Sequence, residues 1–234
     1  MTNTISSRRA SGFAALYLAA ALVAAMLYFL VGTNMPSVTD PGEQVQLLVD
    51  HQLGLHLMYL IAYVAFGLVL AVLALGLHER LAGIAPATSR VASVVGLIWA
   101  GVLVASGMVF IVGMNSVVDL HSTDPAAAVV AWQAIYPVTL GLGGAGGEVL
   151  GGTWLLLVNL VALRGHALPT WLSWSGLIAG AAGIISAVPG LAAVAVVFGL
   201  LIIIWLIGLG VTLLRERSAA VEVPPTASLV NSAR

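Results

Sequence analysis

Cysteine and lysine are both absent from the 234 residues. The first absence excludes disulfides, thiolate zinc sites and cysteine-ligated iron–sulfur clusters. The second leaves arginine as the only strongly basic side chain. Charge of either sign is scarce: 7% of residues are Asp, Glu, Lys or Arg, against about 25% in a soluble domain. So few charges cannot solvate a globular surface, and lipid must cover most of the exterior. A net charge of −1 argues against a nucleic-acid partner. There is no H-E-x-x-H, no G-x-S-x-G and no glycine loop ending in Gly-Lys-Ser/Thr. The usual signatures of a zinc protease, a serine hydrolase and a nucleotide loop are thus missing.

What is present is apolar: 61% of the chain. It falls into six runs, 12–32, 53–77, 91–114, 138–163, 171–188 and 191–214. About 20 helical residues cross a ~30 Å hydrocarbon core, so the runs predict an all-α, six-span membrane bundle. The first run ends in Leu27, Tyr28, Phe29, Leu30 and Val31, not in the small residues of a signal-peptidase site, and reads as an uncleaved helix. Residues 1–11 form a polar cytoplasmic N-terminus. Residues 215–234, with Pro224 and Pro225, cannot pack a core and read as a disordered cytoplasmic tail.

The arginines predict the orientation. With the N-terminus, the 78–90 loop, the 164–170 loop and the tail on one side, Arg8, Arg9, Arg80, Arg90, Arg164, Arg215, Arg217 and Arg234 all fall together. The opposite side carries Asp40, Glu43, Asp50, Asp119 and Asp124 and no basic residue but histidine. The positive-inside rule then puts both termini in the cytoplasm. The Ala-, Gly- and Val-rich, lysine-free composition points to a bacterial inner membrane.

Local signals refine this layout. Asp40-Pro41 with Glu43, and Asp124-Pro125, are helix-start signatures. The first predicts a short interfacial helix before span two. The second starts a helix through Trp132 and Tyr136 that Pro137 is expected to interrupt. Thr39-Asp40-Pro41 recurs as Thr123-Asp124-Pro125, and Ser93–Ile98 is echoed at Ser173–Ile178. These spacings fit a threefold repeat of helical hairpins.

The most unusual stretch is Gly141–Trp154, GLGGAGGEVLGGTW. It places Glu148 inside an apolar run, where a charge costs about 2.5–3.5 kcal/mol on insertion scales and normally faces protein or a wet cavity. Its glycines predict a kinked or unwound segment, with regular helix restarting near Glu148 and the carboxyl at the positive end of the helix dipole. Counted at ~1.5 Å per residue, Glu148, Tyr63 and Ser106 reach a similar height, ~22 Å above the cytoplasmic edge. Gln52, His56, Tyr59 and Tyr63 share one helix face and should point into the bundle. Together they suggest an outward-facing pocket with a proton-exchanging Glu148, lined by His56, Tyr59, Tyr63 and Ser106. A structural Glu148 locking span four to span two is the competing reading.

Other residues suggest less. His51, His56, Asp50, Asp119, His121 and Asp124 offer imidazole and carboxylate for a divalent metal, but their spacing favours ordinary solvated loops. No histidine lies mid-span, which argues against haem, and no cofactor is implied. Gly143, Gly147 and Gly151, and likewise Gly176 and Gly180, recur every four residues and predict close helix packing. Trp154, Asn159 and Trp205 read as packing residues.

Several short runs carry a family likeness: H-x-x-Y-L at His56–Leu60, S-G-M-V at Ser106–Val109, T-D-P at Thr123–Pro125, G-G-x-G-G-E-V-x-G-G-T-W at Gly143–Trp154, and L-P-x-W-L-x-W at Leu168–Trp174. On these the chain, over roughly 10–214, resembles an uncharacterised bacterial family of six-span membrane proteins catalogued as a domain of unknown function. The resemblance implies fold and location and no activity. A small proton-linked carrier ranks first among the functions, then a membrane sensor or scaffold binding a partner protein, then a metal-dependent membrane enzyme. The expected partners are the bilayer, a small solute or proton, or a membrane protein.

Overall fold

A computed structural model describes residues 2–143 and 148–221. Gly144, Gly146, the packing glycine Gly147 and the tail beyond Val221 lie outside them. The described chain is helical, with no strand. Helix α1 spans Thr2–Leu27 and closes in a π-helical turn, Tyr28–Gly32. Helix α2 is Pro41–Asp50. Helices α3 (Gln52–Tyr59) and α4 (Phe66–Leu81) are joined by a π-helical segment, Leu60–Ala65, into one rod. Then come α5 (Pro86–His121), α6 (Pro125–Gly143), α7 (Val149–Arg164), α8 (Thr170–Ile185) and α9 (Val194–Val221).

Among the described residues, five stretches are long and apolar enough to cross a membrane: Arg9–Gly32, Gln52–Leu81, Pro86–His121, Pro125–Gly143 and Val194–Arg215. Helices α7 and α8 are apolar but shorter. Apolar side chains also cover the outside. On α5 the exposed ones run from Val91 to Val112, a rise of ~31 Å, about the thickness of a hydrocarbon core.

Two cores organise the helices. The larger is a ring in which α1 packs on α4, α4 on α5, α5 on α7, α7 on α8, α8 on α9, and α9 back on α1. Leu18, Leu70, Leu73, Trp154, Leu155 and Trp205 fill it. The smaller core lies beyond one end of the ring, where α2, α3, the last turns of α5 and α6 enclose Leu48, Leu55, Phe110, Met114 and Trp132. Lipid tails are as apolar as leucine, so close backbone approach rather than water exclusion holds such a ring. At the α7–α8 contact, a Cβ on Gly152 would stand 2.6 Å from the Gly180 carbonyl oxygen, and one on Gly180 2.7 Å from that of Gly152.

Both helix-start signatures act as caps. The Asp40 carboxylate accepts the Glu43 N–H at 2.9 Å, and that of Asp124 accepts the Ala127 N–H at 3.0 Å. Two local expectations are corrected. Helix α6 runs straight through Pro137. Proline there removes one N–H, but tertiary bonds hold the helix on both sides: Trp132 Nε1 donates to Gln44 Oε1 at 2.8 Å and Ser106 Oγ to the Thr139 carbonyl at 2.8 Å. Asp119 and His121, expected in a loop, sit in the last turn of α5, because packing on α6 prolongs that helix past its apolar run.

The arginine-bearing ends meet at the opposite end of the ring. Arg80 donates to the Ala167 carbonyl between α7 and α8, and Gly12 of α1 lies against Leu214 near the end of α9.

Candidate functional site

The site begins at the break between α6 and α7. Glu148 precedes α7 with φ −81° and ψ 49°, outside the helical range. Its main chain is held on both sides. Its N–H donates to Ser186 Oγ at 3.2 Å, and its carbonyl accepts the Gly152 N–H at 2.8 Å. Ser186, just past α8, is itself fixed by donating to the Gly183 carbonyl at 2.6 Å. Regular helix restarts at Val149, where the glycine pattern put it, so the carboxyl stands at the positive end of the α7 dipole.

On the other side of the break, α6 ends at Gly143. A Cβ there would meet Ser106 Oγ at 3.0 Å and Tyr63 Cε1 at 3.1 Å. The bare backbone lets α6 end against α5 and the α3–α4 rod. Ser106 gives its hydroxyl hydrogen to Thr139. It supports the helix end rather than offering that proton to Glu148.

Glu148 and Tyr63 line one cavity of about 370 Å³ and lie within electrostatic reach of each other. Trp99, Phe66, Met26 and Phe198 supply much of the remaining wall. Among the described residues, no side chain hydrogen-bonds the Glu148 carboxyl. The π-helical segment Leu60–Ala65 carries Tyr63.

The structure therefore brings together Glu148, Tyr63 and, through Gly143, Ser106. His56 and Tyr59 are not in the lining. Tyr59 is buried, stacked on Tyr63 with ring centroids 4.7 Å apart and packed on Phe110 on its other face. Gln52, at the head of the same stripe, donates to Asn115 Oδ1 at 3.2 Å. His51 and Asp119 are exposed, Asp124 is engaged as a cap, and among the described residues no three His, Asp or Glu side chains converge as a metal would require.

Sequence reasoning missed the walls supplied by α1 and α9. Only Gly199, a gap in a run of bulky residues, signalled them: a Cβ there would have nothing within 4 Å. The packing glycines meet large partners. Gly151 faces Trp99 and Phe198, Gly176 faces the Asn159 amide and Trp205, and Gly180 faces Gly152 and Leu156.

No protein-family model, no curated protein and no solved structure matches this chain. Its class rests on the fold and the site: an all-helical protein with helices suited to a membrane and one acid facing an apolar cavity.

Proposed function

We propose that the chain crosses the bilayer six times with both termini cytoplasmic, like the bacterial family it resembles, and that it is a small proton-linked carrier with its binding pocket at Glu148. In this layout α6 and α7 share the fourth crossing and α8 makes the fifth; α7 and α8, at 16 residues each, rise ~24 Å, about a turn short of the hydrocarbon thickness. The shortfall falls at the end holding Glu148 and Ser186.

One observation carries the reading: an acid with no side-chain partner among the described residues, at a helix break, faces a cavity alongside Tyr63. Interrupted helices at mid-membrane depth are where carriers place substrates and coupling ions. Ser106 lies 15 residues above Val91 on α5, which sets the site ~22 Å into the apolar band. Glu148 takes up the proton, Tyr63 shares the cavity wall with it, and Ser106 keeps the α6 end in place.

Dicyclohexylcarbodiimide, an apolar reagent that modifies protonated carboxyls from within the bilayer, tests this in proteoliposomes. Labelling should map to Glu148 by mass spectrometry, and Glu148→Gln should remove it without loss of folding. An unlabelled Glu148, together with a Glu148→Gln protein that only melts earlier, would make the acid structural.

A further inference from the structure

We infer that the ligand of this cavity is a cationic amphiphile, an amine head on an apolar body, that enters sideways from the bilayer between α1 and α9. The inference rests on the reading of Glu148 as the ligand-binding acid and adds the substrate class and its route.

The route follows from how α1 and α9 meet. At the arginine-bearing end they touch backbone to backbone: a Cβ on Gly210 would lie 3.1 Å from the Gly12 carbonyl oxygen and 2.7 Å from Leu16 Cγ. Toward the other end both helices line the cavity, the first from Leu22 to Leu30 and α9 from Ala195 to Ile203. Met26 and Leu30 on the first side, and Val196 and Leu200 on the second, line the cavity and are also 38%, 54%, 65% and 49% exposed. The mouth therefore has the same apolar surface as the outside of the bundle. A molecule passing it must already be dissolved in lipid.

The walls restrict the body of that molecule. Among the described residues of the lining, apart from the Trp99 indole, Tyr63 and Glu148 carry the only polar side-chain groups. A sugar or an amino acid would leave several buried polar groups unpaired, at a cost that excludes it. An apolar body loses nothing there, and a volume of about 370 Å³ suits a medium-chain or compact ligand.

The head is set by charge. Among the described residues no side chain hydrogen-bonds the Glu148 carboxyl, and Arg9, Arg80, Arg90, Arg164 and Arg215 lie on the elements that meet at the far end of the ring. An ammonium supplies the missing partner through a charge-assisted hydrogen bond, strengthened by the dry surroundings. The aromatic residues Tyr63, Phe66 and Trp99 in the same lining suit a cation wherever a ring face meets it. An anionic head would meet the acid, and a neutral one would leave it without a counter-charge.

The test uses the full chain in nanodiscs and three probes with one tail: 11-bromoundecylamine, 11-bromoundecanol and 11-bromoundecanoate. Bromine quenches tryptophan on contact, and Trp99 lines the cavity. The amine should quench saturably, at least about tenfold more tightly than the alcohol, and the carboxylate should not rise above lipid partitioning. Trp99→Phe should remove the saturable part. Glu148→Gln should weaken the amine by at least about tenfold. Gly199→Leu, whose side chain extends into empty space, should abolish saturable quenching in a protein that folds normally. Equal quenching by all three heads, or amine binding indifferent to both Glu148→Gln and Gly199→Leu, overturns the proposal. Carbodiimide labelling of Glu148 that the amine fails to block would overturn the substrate class and leave the carrier reading standing. Absence of labelling would remove that reading as well.

Discussion

The indole N–H of Trp205 donates to Asn159 Oδ1 at 3.0 Å, and neither residue has any exposed surface. The Asn159 amide completes the arrangement by donating to the Leu155 carbonyl at 2.8 Å, within its own helix. The pair therefore ties α7 to α9 through the middle of the ring. Trp154 packs edge-on against Trp205 with centroids 5.7 Å apart.

Asn159→Leu should lower stability by leaving the Trp205 N–H without an acceptor. Interhelical hydrogen bonds in membrane proteins contribute ~0.6 kcal/mol on average and up to ~1.7, and an orphaned buried donor costs ~1–3 kcal/mol. The single variant should thus lose more than Asn159→Leu adds to Trp205→Phe. Thermal unfolding of the two singles and the double in detergent checks this, and additive losses would mean the bond contributes nothing.

Gly152→Ala and Gly180→Ala should each be severe. Their methyl groups would press on backbone oxygens of the facing helix, which cannot swing aside as a side chain can. Overpacking of this kind costs ~1–3 kcal/mol, or several degrees of melting temperature at ~2–4 °C per kcal/mol for a chain of this size. Gly101→Ala, where an added Cβ has nothing within 4 Å, should be neutral in the same assay.

Gln44 should control the smaller core. Its Oε1 accepts from Trp132 and its Nε2 donates to the Val38 carbonyl, both at 2.8 Å. Gln44→Leu should orphan the Trp132 N–H, at a cost of ~1–3 kcal/mol. Faster hydrogen exchange should then appear in α2 and α6 and be absent from α7–α9. Uniform acceleration would show instead that the two cores unfold together.

Asp40→Ala and Asp124→Ala should each cost ~0.5–2 kcal/mol through loss of an N-cap. The Asp124 change should fray α6 locally, raising exchange at residues 126–128 while α7 is unaffected. The Asn variants should restore most of the loss, since the amide oxygen caps as well as a carboxylate.

The sequence was most informative where it departed from apolar. Asp40 and Asp124 announced their helix starts, and the glycine run announced the restart at Glu148. Residue counting along helices was enough to set Tyr63 level with Ser106. It failed where the chain is apolar on every side. In lipid, a buried and an exposed leucine read alike, so nothing indicated that α1 and α9 would face each other and wall the cavity. Periodicity also assumes one register, and the π-helical segment at Leu60–Ala65 breaks it. Tyr59 still stacks on Tyr63, but Phe110 covers it, so it belongs to the smaller core and not to the cavity. Pro137 misled because a local rule about a missing N–H says nothing of bonds supplied by Gln44 and Ser106 from elsewhere in the chain.

The contact between Gly12 and Gly210 has a bearing on biogenesis. In order of synthesis, Gly12 precedes its contact Gly210 by almost two hundred residues. Until α9 follows, the face of α1 that carries Gly12 and Leu16 lacks its partner, although α4 already covers another face, and the cavity lacks its second wall. On the ligand-binding reading proposed above, a chain stopped before α9 would leave the ring open and the cavity without the wall that Val196 and Leu200 supply.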